Sequence, residues 1–208
     1  MSEDQEQLQL QRHQRTTMLA SHVGVRLDNL FDHVLAAKES YTREHSQQVV
    51  ALAEAIGTRM GLDTYQMQIL SLAAGFHDLG KIGVSDDILL KPGCLSDQEY
   101  EAVKEHPVIG SNMLRSLGHP LLDEVADSVL YHHERWDGQG YPKGLACDEI
   151  PLLSRIVSVV DAFDAMTTTR SYRQPLEKTN ALKMFANQSG IQFDPGAVTA
   201  LFTVLAES

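Results

Sequence analysis

Apolar residues recur with helical spacing along most of the chain. Val49, Leu52, Ala53, Ile56 and Met60 fall at i, i+3, i+4, i+7 and i+11, which is one face of an amphipathic helix. Alternating strand patterns are absent, and the short apolar run at 156–160 is interpreted as a buried helix. The sequence therefore predicts an all-α fold built as a single helical bundle.

Start and stop signals divide this pattern into separate helices. Ser96 and Glu99 have the spacing of a capping box, and Asp194 before Pro195 predicts an N-cap followed by a first helical residue. Two stretches, 80–93 and 137–144, are rich in glycine and interrupt the helices. We expect these two irregular loops at the active site, because rigid helices hold such segments where substrates bind.

The polar N-terminus predicts a boundary. Residues 1–16 are rich in Gln and Glu and are interpreted as a polar tail or linker, and residues 17–208 as one domain. No apolar run approaches the ~20 residues that span a bilayer, and the N-terminus lacks a signal-peptide pattern. We expect a cytoplasmic protein with no membrane span, in which Cys94 and Cys147 stay reduced.

A formal net charge of −11 argues against a nucleic-acid polymer as partner, because such a partner requires a basic surface. It does not exclude a small phosphate-bearing substrate, since bound metal ions can reverse the local field.

The residues most informative about chemistry are histidines and aspartates near predicted helix ends or on inward-facing positions. They are His45, His77, Asp78, His106, His132, His133 and Asp161. Burying so many ionisable groups costs several kcal/mol for each unpaired charge, and divalent cations would compensate. Mixed imidazole and carboxylate ligation suits Fe, Mn or Zn. Asp78 is the natural bridge between two ions, because a carboxylate has two oxygens.

Lys81 stands four residues after His77, on the same side of a continued helix. It is predicted to reach the site, either neutralising charge or protonating the leaving oxygen.

The segments GFHDLGKIG, KPG, EHPVIG, HHERWDGQGYP, PLLSRIVSVVDAFDAMTTTRSYR and FDP follow one another in this order. Together they closely resemble the HD-GYP domain, a branch of the HD phosphohydrolases, from about Tyr41 to Pro195. The doublet of His77 and Asp78 alone is a weak signal. Joined to the GYP segment and the downstream aspartate segment, it is a strong one.

The resemblance implies how the ligands divide between two divalent ions, with iron expected and manganese as the alternative. His45, His77 and Asp161 would bind the first ion. His106, His132 and His133 would bind mainly the second, with Asp78 bridging both. A bridging hydroxide would then attack the phosphate.

The same resemblance assigns substrate contacts. Gly140, Tyr141 and Pro142 form the GYP triplet, which would shape the substrate rim and a protein-contact surface. Arg170 and Arg173 would contact phosphate. Asp164 is interpreted as a supporting or capping residue rather than a ligand.

The implied activity is hydrolysis of a phosphodiester bond in a cyclic dinucleotide. The substrate that the resemblance implies is most often cyclic di-GMP, opened to pGpG and/or cut to GMP. One departure is that Tyr41 stands where three-metal family members have Glu, so we expect two ions rather than three.

Two alternatives remain open. One is an HD phosphohydrolase for the hybrid dinucleotide cGAMP or for another nucleotide. The other is a non-catalytic module that senses a cyclic dinucleotide or docks onto proteins. A homodimer is compatible with the sequence but is not established by it.

Overall fold

The structure, a computed structural model, describes the backbone of residues 43–168 and 177–207, and side chains from Gln48 onward within those ranges. The predicted tail at 1–16 lies outside the described residues. The described residues form α-helices and two short 3₁₀ segments, and their only β pairings are isolated bridges at Asp137–Ala146 and Ser189–Phe193. The predicted all-α fold is confirmed.

The α-helices in chain order are α1 Arg43–Arg59, α2 Thr64–Phe76, α3 Asp86–Leu89, α4 Asp97–Lys104, α5 His106–Arg115, α6 Pro120–Leu130, α7 Leu152–Thr167, α8 Lys178–Gln188 and α9 Pro195–Glu207. The two 3₁₀ segments, η1 and η2, are Leu79–Gly83 and Cys147–Glu149. The first predicted irregular stretch is therefore partly helical, because it contains η1 and α3.

The two predicted helix-capping signals lie at helix starts in the structure. Ser96 and Glu99 form the capping box of α4, in which Ser96 N–H donates to Glu99 at 2.7 Å. Asp194 Oδ1 accepts the N–H groups of Gly196 and Ala197 at the start of α9. Such local hydrogen bonds satisfy the donors that a helix start leaves unpaired.

Helices α1, α2, α6 and α7 pack together around one apolar core, and α5 packs against both α6 and η1. The apolar face predicted on α1 is part of that core, since Val49, Ala53 and Ile56 are buried. The run 156–160 is a buried helical segment of α7, as predicted. Among the helices so described, none combines the length and apolar character needed to cross a lipid bilayer.

Candidate metal centre

His77 lies at the end of α2, where the chain leaves the α-helix. It is 1% exposed, and its Nδ1 lies 2.7 Å from the carbonyl oxygen of Ala74. A carbonyl can only accept, so Nδ1 carries a proton and Nε2 is the ring nitrogen that faces the carboxylates. Nε2 itself is buried without a hydrogen-bond partner.

His106 and His132 are held in the same way. Nδ1 of His106 donates to Val103 O at 2.8 Å, and Nδ1 of His132 donates to Val129 O at 2.6 Å. Each contact runs to the carbonyl three residues earlier, so the last turn before each histidine fixes its tautomer. The two Nε2 atoms, both left as acceptors, lie 3.4 Å apart.

His133 completes this group. The centre of its ring lies 4.0 Å from the centre of the His132 ring and 5.0 Å from that of the His106 ring. One ligand atom from each of these three histidines lies within 4.8 Å of the other two. The group joins the start of α5 to the end of α6, which is where these helices pack together.

Asp78 stands between His77 and this imidazole group. Its Oδ2 is 3.4 Å from Nε2 of His77, and its Oδ1 is 3.5 Å from Nε2 of His106. Asp161, from α7, places Oδ1 at 3.7 Å from Nε2 of His77. The carboxylate of Asp78 therefore has one oxygen directed to each side.

This arrangement fits a bound cation. Imidazole lone pairs face one another and face carboxylate oxygens, and acceptors at such distances repel unless positive charge lies between them. The donor atoms are nitrogen and oxygen without thiolate, a set that suits Fe, Mn or Zn. The orphaned Nε2 of His77 is the clearest single sign of this.

Burial keeps the imidazole group in the form that binds metals. It lowers the pKa of His106, lowers that of His132 well below its usual value, and lowers that of His133 to about 4. A neutral imidazole offers its lone pair to a cation, whereas a protonated one does not.

For His77, Asp78 and Asp161 the surroundings favour the charged form instead. Burial lowers the pKa of His77, but the carboxylates of Asp78 and Asp161 outweigh it and hold that pKa well above its usual value. Burial raises the pKa of Asp78, yet Lys81 and His77 outweigh it and keep the pKa well below normal. The pKa of Asp161 is lowered as well, chiefly because His77 outweighs the effect of burial. The buried carboxylate of Asp78 and the half-buried carboxylate of Asp161 thus stay ionised and attract positive charge.

Lys81 reaches the site by a different route from the one predicted. Helix α2 ends at Phe76, so Lys81 does not lie one turn along a continued α-helix from His77. It lies in η1, and its ammonium donates to Oδ2 of Asp78 at 2.8 Å. The tighter 3₁₀ turn directs it at the residue three positions earlier.

Glycine makes the packing of η1 on α5 possible. A Cβ on Gly80 would collide with the carbonyl oxygen of His106 and would approach the Gly110 nitrogen to 2.6 Å. Two backbones meet at this crossing without side chains between them. The contact holds Asp78 beside His106.

The GYP loop, residues 137–146, lies against His133. The N–H of Tyr141 donates to the carbonyl of His133 at 3.2 Å, and the two rings are 4.9 Å apart. Gly140 fits because a Cβ there would meet the backbone of Glu134 at 2.5 Å. Pro142 follows a cis peptide bond after Tyr141.

Glu134 supports this region although the sequence pattern did not single it out. It is 3% exposed, and its carboxylate accepts the N–H groups of Lys143, Gly144 and Leu145 at 2.6, 3.1 and 3.1 Å. The available signal was an acidic residue directly before a glycine-rich stretch, whose N–H groups need acceptors. Glu134 fastens the GYP loop to the end of α6.

The start of this loop is anchored beside the FDP segment, residues 193–195. Arg155 donates to Asp194 at 2.7 Å, and its guanidinium lies 5.5 Å from the centre of the Trp136 ring. The Trp136 N–H donates to Gln192 O at 3.0 Å. Trp136 thus packs on this anchor.

Several predicted site residues lie outside this description. His45 is in α1, but its side chain is among those not described, and Tyr41, Arg170 and Arg173 fall outside the described residues.

Asp164 is buried in α7 and accepts from the Thr168 hydroxyl at 2.9 Å. The structure brings six of the seven predicted ligands together: His77, Asp78, His106, His132, His133 and Asp161.

Known proteins resemble this chain over most of its length. A family model described as HD domain matches residues 29–197. The chain is 39% identical over 170 residues to a cyclic di-GMP phosphodiesterase of Thermotoga maritima, covering 82% of this chain and 46% of that protein. It is 35% identical over 171 residues to the 3′3′-cGAMP-specific phosphodiesterase 3 of Vibrio cholerae, covering 82% of this chain and 37% of that protein. The chain thus spans less than half the length of these curated relatives.

A solved structure shares the fold. The crystal structure of a cyclic GMP-AMP-specific phosphodiesterase from Vibrio cholerae matches with a TM-score of 0.66 at 20% identity, over 86% of this chain and 49% of that one. The resemblance to the HD-GYP branch predicted from the motifs is confirmed by the family model and the curated relatives. The chain belongs to the HD domain family.

Proposed function

We propose that this domain hydrolyses a phosphodiester bond of a cyclic dinucleotide at a centre of two divalent cations. The observation that carries the proposal is the position of Asp78. One carboxylate oxygen faces His77, the other faces His106, and a histidine group lies beyond. A carboxylate shared in this way is what a two-metal phosphodiesterase needs between its ions.

The donor atoms divide into two sets. Oδ2 of Asp78, His77 and Asp161 form one set, to which we add His45 from the sequence resemblance. Oδ1 of Asp78 and the three histidines His106, His132 and His133 form the other. We propose iron, with manganese as the alternative, because these donors are imidazoles and carboxylates rather than thiolates.

Two bound cations would activate a water molecule and neutralise charge on the phosphoryl oxygens. The residues of the chain prepare the site for this. Backbone carbonyls fix the histidine tautomers, and the Tyr141 ring lies beside His133. Lys81, 20% exposed and bonded to Asp78, is placed either to neutralise charge or to give a proton to the leaving oxygen.

We propose cyclic di-GMP as the first substrate candidate, because the Thermotoga relative carries that name at 39% identity. The hybrid 3′3′-cGAMP is the second candidate, favoured by the Vibrio relative at 35% identity. Arg170 and Arg173 are proposed phosphate contacts on the sequence resemblance alone. The GYP loop is likewise proposed as a face for a protein partner, and a homodimer as the assembly.

The test uses one anaerobic preparation loaded with Fe(II) or Mn(II). Metal content is measured by mass spectrometry, and cyclic di-GMP and 3′3′-cGAMP are supplied separately with products separated by chromatography. We expect two equivalents of metal per chain and linear products. Asp78→Asn should abolish turnover, whereas Asp123→Asn, at an exposed position on α6, should not.

Binding of the dinucleotide without turnover would favour the sensor module and overturn the proposal. Three equivalents of tightly bound metal would contradict the two-ion centre. Size-exclusion chromatography with light scattering tests the proposed dimer.

A further inference from the structure

Lys104, at the end of α4, lies between two tyrosines. Its ammonium is 5.4 Å from the centre of the Tyr141 ring and 5.6 Å from that of Tyr100. Tyr141 belongs to the GYP loop, whereas Tyr100 lies one turn before Lys104 on the same helix. A helix end and a loop, distant in sequence, thus place a cation between two aromatic rings.

The cation is available to an anionic ligand. Its ion pair with Glu101, at 2.8 Å, is on the surface, and the side chain of Glu101 is 67% exposed. Exposed ion pairs of this kind contribute little to stability. A phosphate could therefore replace Glu101 as the partner of Lys104 at small cost, while the ring contacts stay in place.

The position of Lys104 relative to the metal centre gives this cation a role. The Tyr141 ring lies 4.9 Å from the His133 ring and 5.4 Å from the Lys104 ammonium, so one aromatic ring lies beside both a residue of the metal centre and this cation. Lys81, the other lysine at this centre, is bonded to Asp78. Lys104 instead contacts Tyr141, the residue whose ring lies beside His133.

A cyclic dinucleotide carries two phosphodiester groups on opposite sides of its ring. Only one can occupy the metal centre, so the second must be neutralised elsewhere, on a chain whose net charge is −11. The adjacent Tyr100 is 51% exposed and offers a ring face on which a purine can stack.

Resting on the function proposed above, we propose that Lys104, held between Tyr100 and Tyr141, binds the phosphate that is not cleaved. Tyr100 supplies the adjoining surface for one of the bases. This subsite distinguishes a cyclic dinucleotide from a simple phosphodiester, which has nothing to place there.

The test compares Lys104→Met and Lys104→Arg with Lys183→Met, a matched loss of charge at an exposed position on α8. Two substrates are used, cyclic di-GMP and bis(p-nitrophenyl) phosphate, which has a single phosphate. We expect Lys104→Met to raise KM for cyclic di-GMP about tenfold or more and to leave bis(p-nitrophenyl) phosphate turnover unchanged. Lys104→Arg should retain most of the affinity, because arginine also binds phosphate.

Tyr100→Ala gives a second reading at an exposed position where folding is not at risk. It should raise KM for cyclic di-GMP several-fold, because the base loses its stacking surface. An unchanged KM in both Lys104→Met and Tyr100→Ala would overturn the subsite. Equal losses on both substrates would also overturn it, since they would mean that the metal centre itself had been disturbed.

Equilibrium binding separates this proposal from the proposed function. Cyclic di-GMP is titrated calorimetrically into the Mn(II)-loaded full chain and its Lys104→Met variant. If the wild-type protein hydrolyses neither substrate, the proposed function fails, and weaker binding by the variant would still support the subsite. Equal dissociation constants for the two proteins would refute it.

Discussion

Gly80 and His106 touch through their backbones. The α-carbon of Gly80 lies so close to the carbonyl of His106 that a Cβ would collide with its oxygen. The glycine of the first loop is therefore what allows η1 to lie against the start of α5.

Gly80→Ala should destabilise the protein, because the obstacle is backbone and cannot turn aside. We expect a loss of about 3 kcal/mol or more in the free energy of unfolding, together with weaker metal retention. Gly75→Ala is the matched control, since a Cβ there meets only Val50 at 3.8 Å within α2. That change should stabilise by about 0.5–1 kcal/mol. Chemical denaturation of both variants measures the difference, and equal stability would contradict the account of this crossing.

Asp78 and Lys81 share one hydrogen bond, yet replacing each should have a different effect on metal binding. Asp78→Ala removes both oxygens that face the histidines, so we expect loss of metal and of activity. Lys81→Ala should keep its metal and lose about 100-fold or more in turnover, the usual scale for a lost proton donor. Metal analysis and turnover on the same purified samples test this pair. Full activity in either variant would overturn these roles.

The stability of the metal-depleted protein should fall as the pH is lowered from 7 to 4.5. His106, His132 and His133 have folded pKa values below the unfolded value of about 6.5. Between those values the unfolded chain binds more protons, so acid favours unfolding. For His133, whose pKa is lowered to about 4, this amounts to roughly 2 kcal/mol.

His77 opposes this trend, because its pKa is raised and its contribution is present below the unfolded value. The three histidines whose pKa is lowered should together change the stability more than His77, whose pKa is raised. Urea unfolding of chelator-treated protein at several pH values gives the slope, and His133→Gln should make it shallower. A stability that rose on acidification would show that His77 dominates.

Glu134→Gln should loosen the GYP loop without emptying the metal centre. The amide nitrogen cannot accept, so at least one of the N–H groups of Lys143, Gly144 and Leu145 loses its partner. We expect about 1–3 kcal/mol of destabilisation and a higher KM, with metal content unchanged. Glu149→Gln, which alters an exposed carboxylate that accepts one N–H, from Ala146, is the control and should have less effect. Hydrogen exchange at residues 143–145 measures the loosening, and unchanged protection there would contradict it.

Sequence alone determined what depends on neighbours along the chain. The helical faces, the capping box of Ser96 and Glu99, and the N-cap at Asp194 follow from hydrogen bonds and burial within a few residues. The order of the motifs was likewise sufficient to identify the family and to select the histidines and aspartates. Even so, the sequence did not predict that Lys81 contacts Asp78 from a 3₁₀ turn rather than from a continued helix, because the end of the helix at Phe76 was not foreseen.

Only the tertiary structure decided which oxygen of Asp78 faces which histidine, and that Glu134 holds the GYP loop. Both depend on helices that cross at angles and depths set by contacts such as Gly80 on His106, between segments far apart in the chain. Periodicity gives the face that a helix buries but not the neighbour it meets there. Hydrogen bonds and ligand distances, which change with fractions of an ångström, are fixed only when the whole core has packed.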